Sequence, residues 1–184
     1  MRGLILAGLM VFGGSGAVLA QDTAAYDPYA DMVISDDIAA LPKPVQQKRA
    51  ALIEAAKSGD IEALKPIFEA QKTPVQVSYG EPEDAIAYLK SESADSGGAS
   101  ILAILGEELD APYAIIGATS ETPSYVWPYL AMVDVTKLTP AQLVDAYRIL
   151  PAETVKELAV MESWYYWRIF IDPNGDLSAF IAGD

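Results

Sequence analysis

The sequence predicts an α+β domain, and three features carry that reading. Apolar residues recur at helical spacing through much of the region from Pro44 to Leu109. The strongest strand signal comes last, in Trp164-Tyr-Tyr-Trp-Arg-Ile-Phe-Ile171, followed by a second apolar run to Ile181. Between the two, Asp172-Pro-Asn-Gly-Asp176 has the composition of a hairpin loop. Helices first and strands last point to a helical hairpin and further helices packed on a small, mainly antiparallel sheet that ends in a C-terminal β-hairpin.

The chain opens on a segment with a different logic. Arg2 supplies a basic start, Gly3 to Phe12 an apolar run, and Gly13-Gly-Ser-Gly16 breaks it before Val18-Leu-Ala20, which suits a signal peptidase. Residues 1–20 are expected to be a cleavable signal peptide, too short in their apolar part to span a bilayer. The mature chain is then expected in the periplasm or secreted, with no transmembrane segment. No cysteine is present to carry a lipid anchor.

Residues 21–43 show no sustained period and read as an extended arm, ordered only if Tyr26, Tyr29 and Ile34 find a groove. Residues 44–184 read as a single domain. Pro44 suits a first helical turn, and Val45, Leu52, Ile53 and Ala56 share a face. Gly59 closes that helix and Asp60 caps a second, with Ile61, Leu64, Ile67 and Phe68 inward and a bend at Pro66. Ala50 to Lys65 resembles the helix-turn-helix of an ankyrin repeat. It lacks the Thr-Pro-Leu-His opening and no copy recurs, so a generic helical hairpin is preferred.

Val75-Gln-Val-Ser-Tyr79 alternates as a short strand would. Glu83-Asp84 opens a helix with Ile86 and Leu89 inward, and Ser91 to Gly98 is a polar surface loop. Ala99 to Leu109 reads as a strongly apolar helix, and Tyr113 to Ile116 as a buried strand. Tyr125-Val-Trp-Pro-Tyr129 puts Tyr125, Trp127 and Tyr129 on one possible strand face. Thr139-Pro-Ala-Gln142 is a capping box starting a helix that buries Leu143, Tyr147 and Leu150, with one more helix over Glu153 to Met161. In the terminal hairpin, alternation assigns Trp164, Tyr166, Arg168 and Phe170 to one face and Tyr165, Trp167, Ile169 and Ile171 to the other.

Composition excludes more chemistry than it suggests. The chain has neither histidine nor cysteine. It therefore lacks a Ser-His-Asp triad, an imidazole or thiolate metal site, a thiol nucleophile and disulfide exchange. No phosphate-binding loop or dinucleotide fingerprint is present, and no cofactor is expected. Without the leader, 11 basic residues face 26 acidic ones. Such a surface repels nucleic acid and anionic membranes, so neither is expected as a partner.

What chemistry remains is carboxylate chemistry. Glu107, Glu108 and Asp110, or Glu81, Glu83 and Asp84, could supply the two facing acids of a glycan hydrolase. Acids at helix ends are more simply solvated. Ser96-Gly-Gly-Ala-Ser100 could be mistaken for a nucleophile loop with Lys90 as base, but the spacing of Ser-Lys hydrolases is missing. Asp172, Asn174 and Asp176 have the spacing that begins a calcium loop, yet Leu177 stands where that loop needs glycine; a plain turn is preferred.

The aromatic residues offer a binding surface instead. Tyr125, Trp127, Tyr129, Trp164, Tyr166 and Trp167 could line a half-wet groove that stacks on sugars, with Arg168 gripping a carboxylate. The alternative is that they fill the core. Tyr125-Val-Trp-Pro-Tyr129, Leu138-Thr-Pro-Ala-Gln-Leu143 and Phe180-Ile-Ala-Gly-Asp184 together resemble a group of small exported proteins of alphaproteobacteria. That resemblance covers most of the mature chain from about Leu52. It implies periplasmic export and a compact domain, and it brings no assigned activity. The expectation is a non-catalytic binding or envelope-associated protein whose partner is an envelope peptide, glycan or protein. The alternatives are a carboxylate-dependent glycan hydrolase and a purely structural interaction protein.

Overall fold

The computed structural model describes residues 29–183, so the expected signal peptide (residues 1–20) lies outside the described residues. Its centre is a five-stranded antiparallel sheet in sequence order. The strands are β1 (Val33–Ser35), β2 (Tyr113–Ile116), β3 (Ser124–Trp127), β4 (Arg168–Ile171) and β5 (Leu177–Ile181). The α+β class and the C-terminal hairpin are both as the sequence predicts. Register places Val33 opposite Ile115, Ile115 opposite Tyr125, Tyr125 opposite Ile171, and Trp127 opposite Ile169.

Both faces of the sheet are covered. On one, Tyr113, Tyr125, Trp127, Ile169, Ile171 and Phe180 join Val45, Leu52, Ile101, Leu105 and Leu109 in the larger core. Those partners come from α1 (Lys43–Ser58) and α4 (Ala99–Asp110), which pack on one another. On the other, Ala114 meets a smaller core built from Tyr129, Leu130, Val135, Ala146, Leu150, Val155, Leu158 and Trp164. Its helices are α5 (Pro140–Ile149) and α6 (Ala152–Met161).

Local signals set most helix ends. Gly59 stops α1 in the left-handed conformation (φ 68°), and Asp60 caps the next turn through Glu62 N–H. Asp84 caps α3 (Ala85–Glu92) by accepting from Ile86 and Ala87. At α5 both halves of the Thr139–Gln142 capping box are formed.

Several expectations need correction. The second helix is split into a tight 3-10 turn over Ile61–Leu64 and a short α2 (Lys65–Glu69). Pro66 lies in the first turn of α2, where its missing N–H costs nothing, so it starts a helix instead of bending one. The expected arm supplies β1, with Leu41 buried in the larger core. Tyr147 is exposed, and Ala146 is the inward residue of α5. Val75 to Tyr79 is less than a full strand: Gln76 alone bridges to β5 in parallel, through its N–H to Ser178 O (3.0 Å) and Phe180 N–H to its carbonyl (2.9 Å).

The hairpin begins later than alternation predicts. Residues 164–167 are outside β4 because their backbone groups are engaged elsewhere. Trp164 Nε1 donates to Trp167 O (3.1 Å), Arg168 Nη1 donates to Trp164 O (2.6 Å), and Gly183 N–H donates to Tyr165 O (2.7 Å). The expected faces hold only in part: Tyr165, expected beside Trp167, packs on the smaller core, and Tyr166 touches both. Trp167 packs on Phe180 in the larger core (4.7 Å between rings), and Trp164 enters the smaller one.

The hairpin loop depends on Gly175, whose φ is +85° and whose Cα sits against Pro44 of α1. A Cβ there would stand 2.8 Å from the Pro44 carbonyl oxygen. Gly175→Ala should destabilise the protein by about 1–3 kcal/mol through strain and this clash. A lower urea midpoint at unchanged slope is the expected result.

Candidate functional site

The aromatic residues expected to line a groove form the two cores instead. Tyr125, Trp127, Tyr129, Trp164 and Trp167 are all buried, Trp127 completely. Tyr129 is past the end of β3, because Pro128 has no N–H to continue the ladder. It turns to the opposite side of the sheet, where its hydroxyl donates to Asp145 Oδ2 (2.8 Å). Burial and the Asp145 charge raise the Tyr129 pKa. Tyr166 and Arg168 are half-buried.

Arg168 does hold oxygen acceptors by its two-pronged end, but they belong to this chain. Nη1 donates to Trp164 O (2.6 Å), while Nη2 donates to Gly183 O (2.8 Å) and to the Tyr79 hydroxyl (2.8 Å). The guanidinium thus ties the approach to β4, the end of β5 and the end of the Val75–Tyr79 segment into one knot.

Sequence reasoning named Glu108 only as one of a group of helix-end acids and missed its burial. Glu108, in the last turn of α4, is the single buried charged residue among those described, at 1% exposure. Neither carboxylate oxygen has a hydrogen-bond partner, and the Trp127 indole N–H also lacks one. Burial pushes the Glu108 pKa well above its ordinary value, opposed only in part by the positive charge of Arg168. Glu108 in turn raises the pKa of Tyr166, after burial itself. The signal was present in the sequence. Glu108 falls seven residues after Ile101 and three after Leu105, on the inward stripe of the helix. Its neighbours Glu107 and Asp110 drew attention to the helix end instead.

Glu107 and Asp110 open onto a cleft of about 170 Å³ with Pro112, Asp145, Arg148 and Ile149. Asp110 is paired with Arg49 of α1 (3.1 Å), which also donates to Leu109 O (2.7 and 2.9 Å). The other acid group is divided as well. Asp84 is spent on capping α3, and Glu81 lines a different cleft. That cleft is the roomiest of those described, about 580 Å³, walled by Pro74, Val75, Gln76, Val77, Ser78, Glu81 and Pro82. Glu81 adopts a left-handed backbone (φ 47°), which an L-residue rarely does without a reason.

The two remaining motifs are local structure. In the loop after β4, Asp172 N–H donates to Asp176 O (2.9 Å) and Gly175 N–H donates to Asp172 O (2.8 Å). The Asn174 amide donates to Asp176 Oδ2 (2.9 Å), and Lys72 pairs with the same carboxylate (3.4 Å). The backbone of Asp172 and the carboxylate of Asp176 thus take part in a turn, while Asp172 Oδ1 accepts from Ser178 Oγ at 3.5 Å. Before the serine loop, Lys90 pairs with Glu62. Ser100 Oγ is bonded to Ser93 Oγ (2.7 Å) and accepts from Ala94 N–H (2.8 Å). Asp95 caps the start of α4 by accepting from Gly97, Ala99 and Ser100 N–H, and these bonds lower its pKa.

Comparison with family models, curated proteins and solved structures finds no match. No helix among the described residues is long and apolar enough to cross a membrane.

The isolation of Glu108 has a consequence for stability. A carboxyl whose pKa is raised on folding gives its full stability below its unfolded pKa and loses it as pH rises toward the folded one. Relative to wild type, Glu108→Gln should therefore gain stability above about pH 4.5, by up to about 1.4 kcal/mol per pH unit until Glu108 ionises in the folded state. Urea unfolding of both proteins across a pH series checks this; parallel curves would mean that Glu108 is not held neutral.

Proposed function

We propose that the mature chain is a non-catalytic binding protein of the cell envelope, exported to the periplasm, whose partner is an envelope peptide, glycan or protein. The Pro74–Pro82 cleft is where that partner sits. The observation that carries this assignment is the cleft itself, of about 580 Å³, with Glu81 held in a left-handed conformation on its wall. The volume is in the range of sites that take small ligands or a few residues of a larger one. Proline at either side stiffens the walls, while Gln76, Ser78 and Glu81 supply the polar contacts. Glu81 carries a negative charge on a strongly acidic protein, so it favours a ligand bearing an amino or other basic group.

A glycan hydrolase would need an acid of raised pKa facing a second carboxylate across a cleft. Among the described residues two carboxyls have a raised pKa: Glu108 is sealed from solvent, and Asp172, raised by burial and the nearby Asp176 charge, belongs to the β4–β5 turn, where Asp176 is held by Lys72 and Asn174. Binding without chemistry is the better reading.

The test is titration of the labelled protein with a solubilised peptidoglycan digest, followed by NMR. Resonances of Gln76, Ser78 and Glu81 should shift, and Ser78→Arg should weaken the apparent affinity about tenfold or more. Glu81→Gly should relax the backbone, raising stability by about 1 kcal/mol while weakening binding. Shifts confined to other regions would remove the cleft from the assignment. New reducing ends in the digest would install the hydrolase in its place.

A further inference from the structure

The sheet has one open edge. At its far side Gln76 bridges to β5, whereas among the described residues no strand pairs with the outer edge of β1. Alternate residues of such a strand turn their N–H and C=O outward, where another chain can take them. Apart from its shortness, β1 carries none of the usual protection: Val33, Ile34 and Ser35 include neither a charge nor a proline. Val33 is 46% exposed and Ile34 43%, so neither helical layer reaches over this strand.

A furrow runs beside that edge. Its first part, about 380 Å³, has Ile34, Ser35 and Asp36 in one wall and Thr139, Gln142 and Asp145 in the other. The last three are spaced three residues apart, so they line one side of α5 from its cap onward. Ile34 turns toward that helix: its cross-strand partner is Ala114, which belongs to the smaller core. Pro112 and Asp145 also line the cleft of about 170 Å³ at Glu107 and Arg148, so the two hollows join into one furrow along α5.

We propose that the β1 edge and this furrow together take an extended segment of a basic partner protein, which adds a sixth strand to the five-stranded sheet. The edge supplies backbone hydrogen bonds and α5 a second wall, an arrangement that suits strand addition. Charge selects the occupant. Asp36 lies at one end of the furrow, Asp145 in the middle, and Glu107 and Asp110 at the other end, against Arg148 in the lining. Asp110 is engaged by Arg49 and Asp145 by the Tyr129 hydroxyl, while Asp36 and Glu107 are exposed. Such a lining favours lysine and arginine side chains. A second copy of this chain would bring the same acids to the edge on a chain of net charge -14, and repulsion opposes it. The surface is separate from the Pro74–Pro82 cleft and does not depend on the assignment made there.

The probe is a fluorescent peptide of alternating lysine and valine, titrated into the intact protein at low salt. It should bind, and at saturation it should slow hydrogen exchange at the outward amides of β1 about tenfold or more, leaving Val126 at the sheet centre unchanged. Two further peptides, N-methylated at every valine or at every lysine, keep the charge and each block one set of backbone donors. At least one of them should bind about tenfold more weakly than the parent. Asp36→Lys and Glu107→Lys, both exposed changes, should each weaken binding about fivefold or more, and Glu92→Lys at the end of α3 should not. Failure to bind at millimolar peptide would overturn the proposal, as would β1 amides left unprotected at saturation. Equal binding of all three peptides would reduce the furrow to an acidic surface, and charge reversals no stronger than Glu92→Lys would place the peptide elsewhere. A dimer formed without peptide, seen by sedimentation and protecting the same amides, would give the edge to a second copy instead.

Discussion

Trp127 and Ile169 stand opposite one another on β3 and β4, both fully buried, with α1 and α4 over them. Each strand next to that pair must also present a second face, since successive residues alternate. Val126 and Ala114 on that second face are completely buried too. Two-sided burial of the sheet centre thus requires two helical layers, and the order of the chain supplies them in turn. The segment before β2 builds the larger layer. The segments between β3 and β4 build the smaller one, so that β4 returns beside β3 only after the second face has been covered.

The same two-sided burial explains why the aromatic residues sit inside. A cysteine-free chain has no disulfide to stabilise it and relies on large buried side chains. Trp127 packs on Tyr113 at 5.2 Å between rings, and Trp167 on Phe180 at 4.7 Å. Placed this way, these rings stabilise the core and leave no stacking face for a sugar. The charged group that the core does enclose, Glu108, has no hydrogen-bond partner, and burial raises its pKa. Arg168 directs its guanidinium at the carbonyls of Trp164 and Gly183 and at the Tyr79 hydroxyl.

How much of the candidate site was legible depended on distance along the chain. Arg168 stood out as a lone cation among aromatics, expected to grip a carboxylate, but its acceptors are two backbone carbonyls and a tyrosine hydroxyl of this chain. Its acceptors, Tyr79 and Gly183, are 89 and 15 residues away and could not be read from spacing. Glu108 was visible on the inward stripe of α4 but was outweighed by its exposed neighbours. The Pro74–Pro82 cleft left no signature, because it arises from the Val75–Tyr79 segment, which meets β5 through one bridging residue, Gln76.

Taken alone, the sequence determined the class of the fold, the capped ends of its helices, the C-terminal hairpin and the absence of histidine and cysteine chemistry. Those features depend on residues within a turn or two of each other, where propensity, capping and alternation act directly. Only the tertiary structure decided which aromatic residues were buried, that residues 33–35 add a first strand, and that Glu108 is buried without a hydrogen-bond partner. Those outcomes depend on which distant surfaces exclude water from one another, and that is a property of the packed whole rather than of any stretch of chain.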